Sequence, residues 1–236
     1  MMSGKRWGYV VQFFCLLVFL GMSPFLIKMD GRKTMSVSSG SVRSQNVSDE
    51  VKPVVALTFD DGPNASSTPI LLDGLKERKV RATFFLIGEN VEKDENEKIV
   101  KRMYEEGHLI GNHTYRHVDL SKISGREAEK EIKTTDEAIK KITGHETEFI
   151  RPPFGAMPEG EEDPDKIYVK WTVDSLDWVT KDTEKIVEKV TADTKEGDVI
   201  LMHDCYGESV EAALQIVDIM EKQGYEFVTA DELIIN

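Results

Sequence analysis

From residue 54 onward, short runs of apolar residues alternate with longer segments in which apolar residues recur every three or four positions. The short runs predict buried β-strands, and the periodic segments predict amphipathic helices. The pattern amounts to about seven strands within one domain. The predicted strands are 54–57, 82–87, 109–111, 146–150, 168–173, 198–202 and 226–229.

Residues typical of helix ends delimit the segments between the strands. Thr68 followed by Pro69 predicts a helix N-cap with proline at the first helical position. Ser124 and Glu127 have the spacing of a capping box, and Gly144 is a C-cap candidate for the same helix. One predicted helix begins at Thr68, and the others cover 96–106, 124–142, 183–194 and 209–223.

Strands separated by helices of this length are typical of parallel βαβ units. A single α/β domain with this pattern forms either a (β/α) barrel or a doubly wound sheet. In both folds the chemistry collects at the carboxyl ends of the strands. The polar residues that follow each predicted strand are therefore the candidate functional residues.

The first 29 residues are predicted to be a targeting or anchoring segment. Two basic residues precede residues 7–27, which contain no charged residue and, at 21 residues, are long enough to span a bilayer as a helix. We expect an uncleaved transmembrane anchor; a cleavable signal ending near residues 21–23 is the alternative. Residues 30–50, rich in Ser, Gly and Asn, predict a flexible stalk before a folded domain at 51–236.

The charge of the chain limits its partners. The net charge is −13, and because the first 29 residues hold three basic and no acidic residues, the remainder carries −16. Such an acidic surface repels a phosphate backbone, so nucleic acid is not an expected partner. Cys205 is the only cysteine beyond the N-terminal segment, so no internal disulfide is expected.

Acidic residues and histidines follow the first and third predicted strands. Asp60 and Asp61 are adjacent, which is unfavourable for two like charges unless a cation or hydrogen-bond donors compensate them. Asp-Asp-Gly is also simply a favourable turn sequence. His113 and His117 are spaced i, i+4, so on one helical turn they can bind one divalent ion. Two surface histidines at this spacing also occur for purely structural reasons.

Reactive groups follow three further strands. Arg151 begins an Arg-Pro-Pro-Phe-Gly turn and suits a bidentate carboxylate partner, although a simple surface arginine would look the same. Asp177, Trp178 and His203 follow the next two strands, where a helix cap, a core tryptophan and a satisfied buried histidine are the alternatives. Three of the five histidines lie at strand ends, and these separate alternatives do not explain that joint placement.

In their order and spacing, these five segments resemble the motifs of the polysaccharide deacetylases of carbohydrate esterase family 4, the NodB-homology domain. The matching segments are 58–62, 113–117, 151–155, 174–178 and 201–203. The resemblance extends from residue 54 to residue 233, nearly the whole of 51–236. It implies a distorted (β/α) barrel of about seven strands. It also implies metal-dependent removal of N- or O-acetyl groups from sugars.

The resemblance also implies a role for each matching residue. Asp61, His113 and His117 would bind one divalent metal, with zinc as the first choice and cobalt, nickel or manganese as alternatives. Asp60 would be the general base that takes a proton from the attacking water. Arg151 would keep Asp60 ionised and oriented.

The remaining motif residues would stabilise the transition state and hold the acetyl group. The backbone N–H of Phe154 would help to stabilise the oxyanion. His203 would be the general acid, with Asp177 raising its pKa and selecting its tautomer. Trp178 and Leu201 would wall a small apolar pocket for the acetyl methyl group.

The chain departs from the family pattern at residues 156–166, where the family has a more regular, helix-containing crossover. Prolines, glycine and acidic residues predict a solvated loop; an acidic rim that alters which polymers dock is the alternative. A shortened crossover also threatens to loosen the Arg151 turn. Asp174 is expected to cap or to hydrogen-bond a neighbour, and Cys205 to be packed or exposed without acting as a nucleophile.

We therefore expect a monomeric, membrane-anchored deacetylase whose folded domain lies outside the cytoplasm, or a secreted one if the N-terminal segment is cleaved. The expected substrate is a glycan that contains N-acetylglucosamine, with peptidoglycan first, because a short stalk would hold the domain near the cell wall. Chitooligosaccharide deacetylation and acetylxylan esterase activity would use the same machinery. A non-catalytic glycan-binding module is the alternative from a different class.

Overall fold

The computed structural model describes residues 52–158 and 163–235, which form eight strands and eight α-helices. The strands are β1 Val54–Asp60, β2 Thr83–Leu86, β3 Leu109–Asn112, β4 Phe149–Ile150, β5 Ile167–Tyr168, β6 Val173–Asp174, β7 Val199–His203 and β8 Glu226–Val228. The helices are α1 Thr68–Arg78, α2 Gly88–Val91, α3 Glu97–Glu105, α4 Gly125–Thr143, α5 Asp177–Thr180, α6 Thr183–Asp193, α7 Gly207–Lys222 and α8 Ala230–Ile235.

The strands form one parallel sheet in the order β5-β4-β3-β2-β1-β7-β6, with β8 beside the first half of β1. The sheet curls into a partly open barrel, and β5 and β6 are its two edges. This architecture confirms the predicted distorted (β/α) barrel. Asp60 pairs with Phe85 of β2 and with His203 of β7, so these three strands end at the same level.

The two faces of β1 explain how the barrel holds its polar centre. Val55, Leu57 and Phe59 point into the main apolar core, which the helices cover. Because side chains alternate along a strand, residues 56, 58 and 60 share the opposite face. Ala56 packs there in a small second cluster, and buried Thr58 and Asp60 follow it toward the carboxyl end. The interior of the barrel is thus apolar at one end and polar at the other.

The structure corrects several predicted element boundaries. The predicted strand 168–173 is two short strands, β5 and β6, which lie at opposite edges of the sheet. Between them the chain leaves the sheet, and the carbonyl groups of Val169 and Lys170 accept hydrogen bonds from a buried arginine. The predicted strand 146–150 is limited to Phe149–Ile150. Ser67, and not Thr68, is the N-cap residue of α1.

Helix α4 follows its predicted capping. Ser124 and Glu127 form a reciprocal capping box, and Gly144 ends the helix with φ 80°. The predicted anchor 1–29 and the predicted stalk 30–50 lie outside the described residues. Within residues 52–158 and 163–235, no helix is both long and apolar enough to cross a membrane.

Candidate active site

Asp60 and Asp61 lie at the carboxyl end of β1 and have different surroundings. Asp60 is 3% exposed, and its Oδ1 accepts a 2.8 Å hydrogen bond from Nη1 of Arg151. Asp61 comes just after the strand with φ 71°, a backbone conformation that turns its side chain away from strand alternation. Its carbonyl accepts a hydrogen bond from Nδ2 of Asn90 at 2.8 Å, which helps to fix this turn. Both carboxylates therefore face one cavity from adjacent positions.

Arg151 is completely buried and compensates Asp60. Its Nη1 also donates to Oγ1 of Thr58 at 2.7 Å, and its guanidinium lies 4.2 Å from the centroid of the Phe85 ring. Burial lowers the pKa of Arg151, and the charge of Asp60 opposes that effect. The carbonyls of Val169 and Lys170 accept from its remaining nitrogens at 3.3 Å each. The turn is thus firmly held, contrary to the loosening expected from the shortened crossover.

His113 and His117 are not on a helical turn. They lie in an irregular loop after β3, in which Thr114 and His117 have φ values of 62° and 54°. This bent backbone brings both imidazoles to Asp61: its Oδ1 lies 3.5 Å from Nε2 of His113 and 3.3 Å from Nε2 of His117. Nδ1 of His113 hydrogen-bonds the carbonyl of Arg151 at 2.6 Å, which leaves Nε2 directed at the cavity.

Asp61, His113 and His117 fit a divalent metal. One ligand atom of each lies within 4.8 Å of the others. Oδ1 of Asp61 is buried and accepts no hydrogen bond from the residues that the structure describes. Burial lowers the pKa of His117, which favours the neutral imidazole that a metal requires. The orphaned carboxylate oxygen and two nitrogen donors are a suitable ligand set for a hydrolytic zinc-type ion.

His203 and Asp177 form a hydrogen-bonded pair in which Asp177 is buried and His203 is partly buried. Nδ1 of His203 hydrogen-bonds Oδ1 of Asp177 at 2.8 Å, and Oδ2 of Asp177 accepts the backbone N–H of His203 at 2.7 Å. Burial by itself would lower the pKa of His203. The hydrogen bond and charge of Asp177, with smaller contributions from Asp60 and Asp61, outweigh it and raise the pKa to about 9. His203 is therefore protonated at neutral pH, with Nε2 4.0 Å from Oδ2 of Asp61.

The three predicted substrate-binding residues differ in their exposure to solvent. The ring of Phe154 is 68% exposed and lies edge-on against His117 with a centroid separation of 4.8 Å, at a residue whose φ is 61°. Leu201 is buried in β7, two residues before His203 and on the same face of the strand. Trp178 follows Asp177 in α5 and is half exposed. The acetyl pocket between Trp178 and Leu201 stays a prediction.

Asp204 is a further buried acid that the sequence analysis left without a role. Its Oδ2 accepts a 2.5 Å hydrogen bond from Thr68, and burial raises its pKa to about 7. A Cβ added to Gly62 would lie 2.5 Å from the same oxygen, so glycine allows the turn after Asp61 to approach this carboxyl group. The sequence feature that indicates a role for Asp204 is its position directly after His203, at the end of a predicted strand.

The structure describes only part of the segment 156–166, in which the chain departs from the family pattern. Residues 159–162 lie outside the described part of the chain, and beside them Lys166 forms a 2.7 Å ion pair with Asp136 of α4. Asp174 accepts the backbone N–H of Leu176 at 2.9 Å. Burial raises the pKa of the Cys205 thiol to about 12, which disfavours the reactive thiolate.

Comparison with known proteins identifies relatives of this chain. The profile of the polysaccharide deacetylase family matches residues 48–163. A peptidoglycan-N-acetylglucosamine deacetylase of Bacillus cereus is 42% identical over 75% of this chain and 67% of its own length. The peptidoglycan-N-acetylmuramic acid deacetylase PdaC of Bacillus subtilis is 38% identical over 82% of this chain and 41% of its own length.

Solved structures agree with these sequence matches. The structure of PdaC superposes with a TM-score of 0.74, covering 78% of this chain and 90% of that one at 38% identity. A family 4 acetyl xylan esterase from Clostridium thermocellum, solved with a cobalt ion, has a TM-score of 0.72 at 33% identity, covering 77% and 90% of the two chains. The shared fold, the identity and the coverage lead to one conclusion: this chain belongs to the polysaccharide deacetylase family, a family of hydrolases.

Proposed function

We propose that this protein uses one divalent metal to hydrolyse acetyl groups from glycans that contain N-acetylglucosamine, with peptidoglycan as its substrate. The unequal compensation of two adjacent aspartates is the main support. Asp60 is paired with Arg151, whereas the buried Oδ1 of Asp61 accepts no hydrogen bond and faces two imidazoles. One carboxylate is therefore suited to proton transfer and the other to holding a cation.

Asp61, His113 and His117 would hold the metal. A bound divalent cation supplies a Lewis acid that activates water and polarises the acetyl carbonyl group. Zinc is our first choice, and cobalt, nickel or manganese suit the same ligands. The ligand set supports a metal but does not select among these ions.

Asp60 would take the proton from the attacking water. Its Oδ1 is occupied by Arg151, and its Oδ2 lies 3.7 Å from Nε2 of His113, toward the three ligands. The ion pair with a completely buried arginine compensates the charge of this carboxylate and fixes its orientation, as a general base needs. The backbone N–H of Phe154, in the turn that follows Arg151, is the proposed donor to the oxyanion.

His203 would protonate the leaving group. Its raised pKa keeps it charged at neutral pH, and its bond to Asp177 places the second proton on Nε2. That nitrogen is on the side of Asp61, 4.0 Å from its Oδ2. A base and an acid thus both lie close to the ligand set, as hydrolysis of an amide requires. Leu201 and Trp178 would contact the acetyl methyl group.

The substrate is proposed from the relatives, two of which are named for peptidoglycan deacetylation. The test is acetate release from peptidoglycan, N-acetylglucosamine oligomers and acetylxylan in parallel, with metal added and with chelator. Acetate is the released product, and the deacetylated sugar stays in the glycan. Distinguishing glucosamine from muramic acid residues in the treated peptidoglycan shows which sugar is deacetylated. Chelator-sensitive release that is highest on peptidoglycan is the expected result. Metal binding without release from any substrate would instead identify a glycan-binding module.

We also propose that residues 1–29 anchor the protein in the membrane and that residues 30–50 extend the catalytic domain, 51–236, outside the cytoplasm as a monomer. The support is the uncharged run 7–27 in the sequence. Membrane fractionation with protease accessibility in intact cells tests this arrangement. Recovery of the full-length protein in the cytosolic fraction would contradict it.

A further inference from the structure

The loop that carries two of the three metal ligands has a strained backbone. Thr114 and His117 both have positive φ values, 62° and 54°, although neither is glycine. Each such residue is less stable than it would be in an ordinary backbone conformation. The loop therefore keeps its shape only where neighbouring groups hold it. Those neighbouring groups determine where the two metal ligands of the loop lie.

The first half of the loop is held from β2 and α2. His113 donates its backbone N–H to the carbonyl of Leu86 at 2.9 Å, and the N–H of Gly88 binds the carbonyl of Thr114 at 3.0 Å. The imidazole of His113 is fixed as well, by the 2.6 Å bond between its Nδ1 and the carbonyl of Arg151. His113 thus has the outer hydrogen bond that orients metal-binding histidines in proteins generally.

His117 has no equivalent outer bond. Among the hydrogen bonds of residues 52–158 and 163–235, none involves Nδ1 of its ring. The ring contacts Asp61 through Nε2 and rests against Phe154, which is itself largely exposed. The position of this imidazole is therefore determined mainly by the backbone that enters residue 117.

That backbone is held after residue 117 by the N–H of Val118, which donates to Oγ1 of Thr114 at 3.2 Å, and before it by one buried carboxylate. Glu131 of α4 accepts the backbone N–H of Arg116 at 2.8 Å through Oε2. Its Oε1 accepts Nε and Nη2 of the same arginine at 2.8 and 2.6 Å. All three bonds are charge-assisted, and they hold the residue directly before His117. The guanidinium closes over the carboxylate from the solvent side, since the Arg116 side chain is 61% exposed.

Glu131 is in an unusual position for an acid. It is 4% exposed and lies on the buried face of α4 with Ala128, Ile132 and Thr135. An ionised carboxylate is costly to bury unless it is fully paired, and an apolar residue would suit this helix face better for stability alone. The proposed chemistry does not use it. Its pairing with the ligand loop is the contact that accounts for an acid at this position.

We propose that Glu131 is the positioning residue for His117, acting through the backbone N–H of Arg116, and that it thereby sets the metal affinity of the site. This inference rests on the metal site of the proposed function. It assigns to a carboxylate on α4 the orienting role that the Arg151 carbonyl has for His113. The effect is on the placement of a ligand, not on the reacting groups.

The test is cobalt binding by Glu131→Gln, measured on the full chain without substrate by equilibrium dialysis and by the visible absorption of bound Co²⁺. Gln keeps the side-chain volume but loses one acceptor and the charge. Loss of outer-sphere support for a ligand typically weakens metal binding about 10- to 100-fold. We expect a dissociation constant raised within that range and an altered absorption spectrum. Glu129→Gln, on the exposed face of the same helix, should leave both unchanged.

A wild-type dissociation constant and spectrum in folded Glu131→Gln would overturn the proposal, even if its free energy of unfolding falls. If that variant does not fold, Glu131→Asp keeps the charge but draws the carboxylate away from the backbone N–H of Arg116. We expect it to weaken cobalt binding several-fold, and an unchanged dissociation constant in it would also overturn the proposal. The cobalt-binding assay contains no glycan, so its result does not depend on the proposed activity. Wild-type protein that binds cobalt in this assay but releases no acetate in the glycan assay would contradict only the proposed activity.

Discussion

Replacing Asp177 with Asn removes the buried charge that raises the pKa of His203. Asp177 is fully buried, with Oδ1 2.8 Å from Nδ1 of His203 and Oδ2 accepting the backbone N–H of the same residue. Asn has the same shape but only one acceptor. If its oxygen keeps the imidazole bond, its NH₂ group must face a backbone donor. The variant therefore loses the charge and one hydrogen bond while the imidazole stays in place.

The size of the effect follows from the pKa of His203, which is raised from 6.5 to about 9. Burial alone lowers this pKa, and Asp177 makes the largest opposing contribution. A close opposite charge shifts a pKa by roughly 1–3 units. At 1.36 kcal/mol per unit this is about 1.4–4 kcal/mol. A general acid works only while protonated, so activity falls as pH rises through its pKa. The substitution should move that alkaline decline down to about pH 7.

The assay is the pH dependence of kcat/KM for acetate release from an N-acetylglucosamine oligomer at saturating metal. A cation at Asp61 lessens the contribution of that carboxylate in both proteins, so the difference between them is the quantity to compare. Asp174→Asn is the matched control, since its carboxylate bonds the backbone of Leu176 in the same motif. An alkaline limb that stays at its wild-type pH in Asp177→Asn would refute the assignment of His203 as the acid.

Three other predictions follow from the same contacts. Asp61→Ala should lose metal and activity together. Asp60→Asn should keep metal, as measured by equilibrium dialysis, and lose several orders of magnitude in kcat. Near-normal turnover in Asp60→Asn would disprove the role of Asp60 as the base. Removal of metal by a chelator should abolish acetate release, and adding zinc or cobalt should restore it; release that persists after dialysis against chelator would contradict metal dependence. The pKa of Asp204 is raised from 3.8 to about 7, so the metal-free protein should lose free energy of unfolding as pH rises through that interval. The loss should be at most about 4 kcal/mol. Asp204→Asn should abolish this pH dependence in urea titrations, and a slope equal to that of the wild type would show that another group is responsible.

Local features of the sequence were enough to predict the class of fold. The alternation of apolar runs and periodic segments predicted a parallel α/β domain, the family resemblance implied the barrel, and Ser124 with Gly144 marked the ends of α4. These features depend on neighbouring residues and on one helical or strand period. The pairing of Asp60 with Arg151 was also predicted, because the motifs around both residues resemble those of a known family.

Other expectations failed because they depended on backbone conformation or on distant contacts. The i, i+4 spacing of His113 and His117 suggested a helical turn, but positive φ values bend that segment into a loop. The strand predicted at 168–173 is divided where Val169 and Lys170 turn their carbonyls to Arg151, which is 18 and 19 residues away from them in the sequence. Spacing along the sequence cannot distinguish these conformations.

By itself, the sequence determined the parallel α/β architecture and the types of group available at the strand ends. The resemblance implied that Arg151 pairs with Asp60 and Asp177 with His203, but only the tertiary structure decided the distances and the burial at which they meet. It alone showed that Glu131 holds the loop that carries His117. The physical reason is that burial and electrostatic interaction depend on distances of a few ångströms between residues far apart in sequence. Helix and strand periods record only near neighbours, so those distances exist only once the barrel has folded.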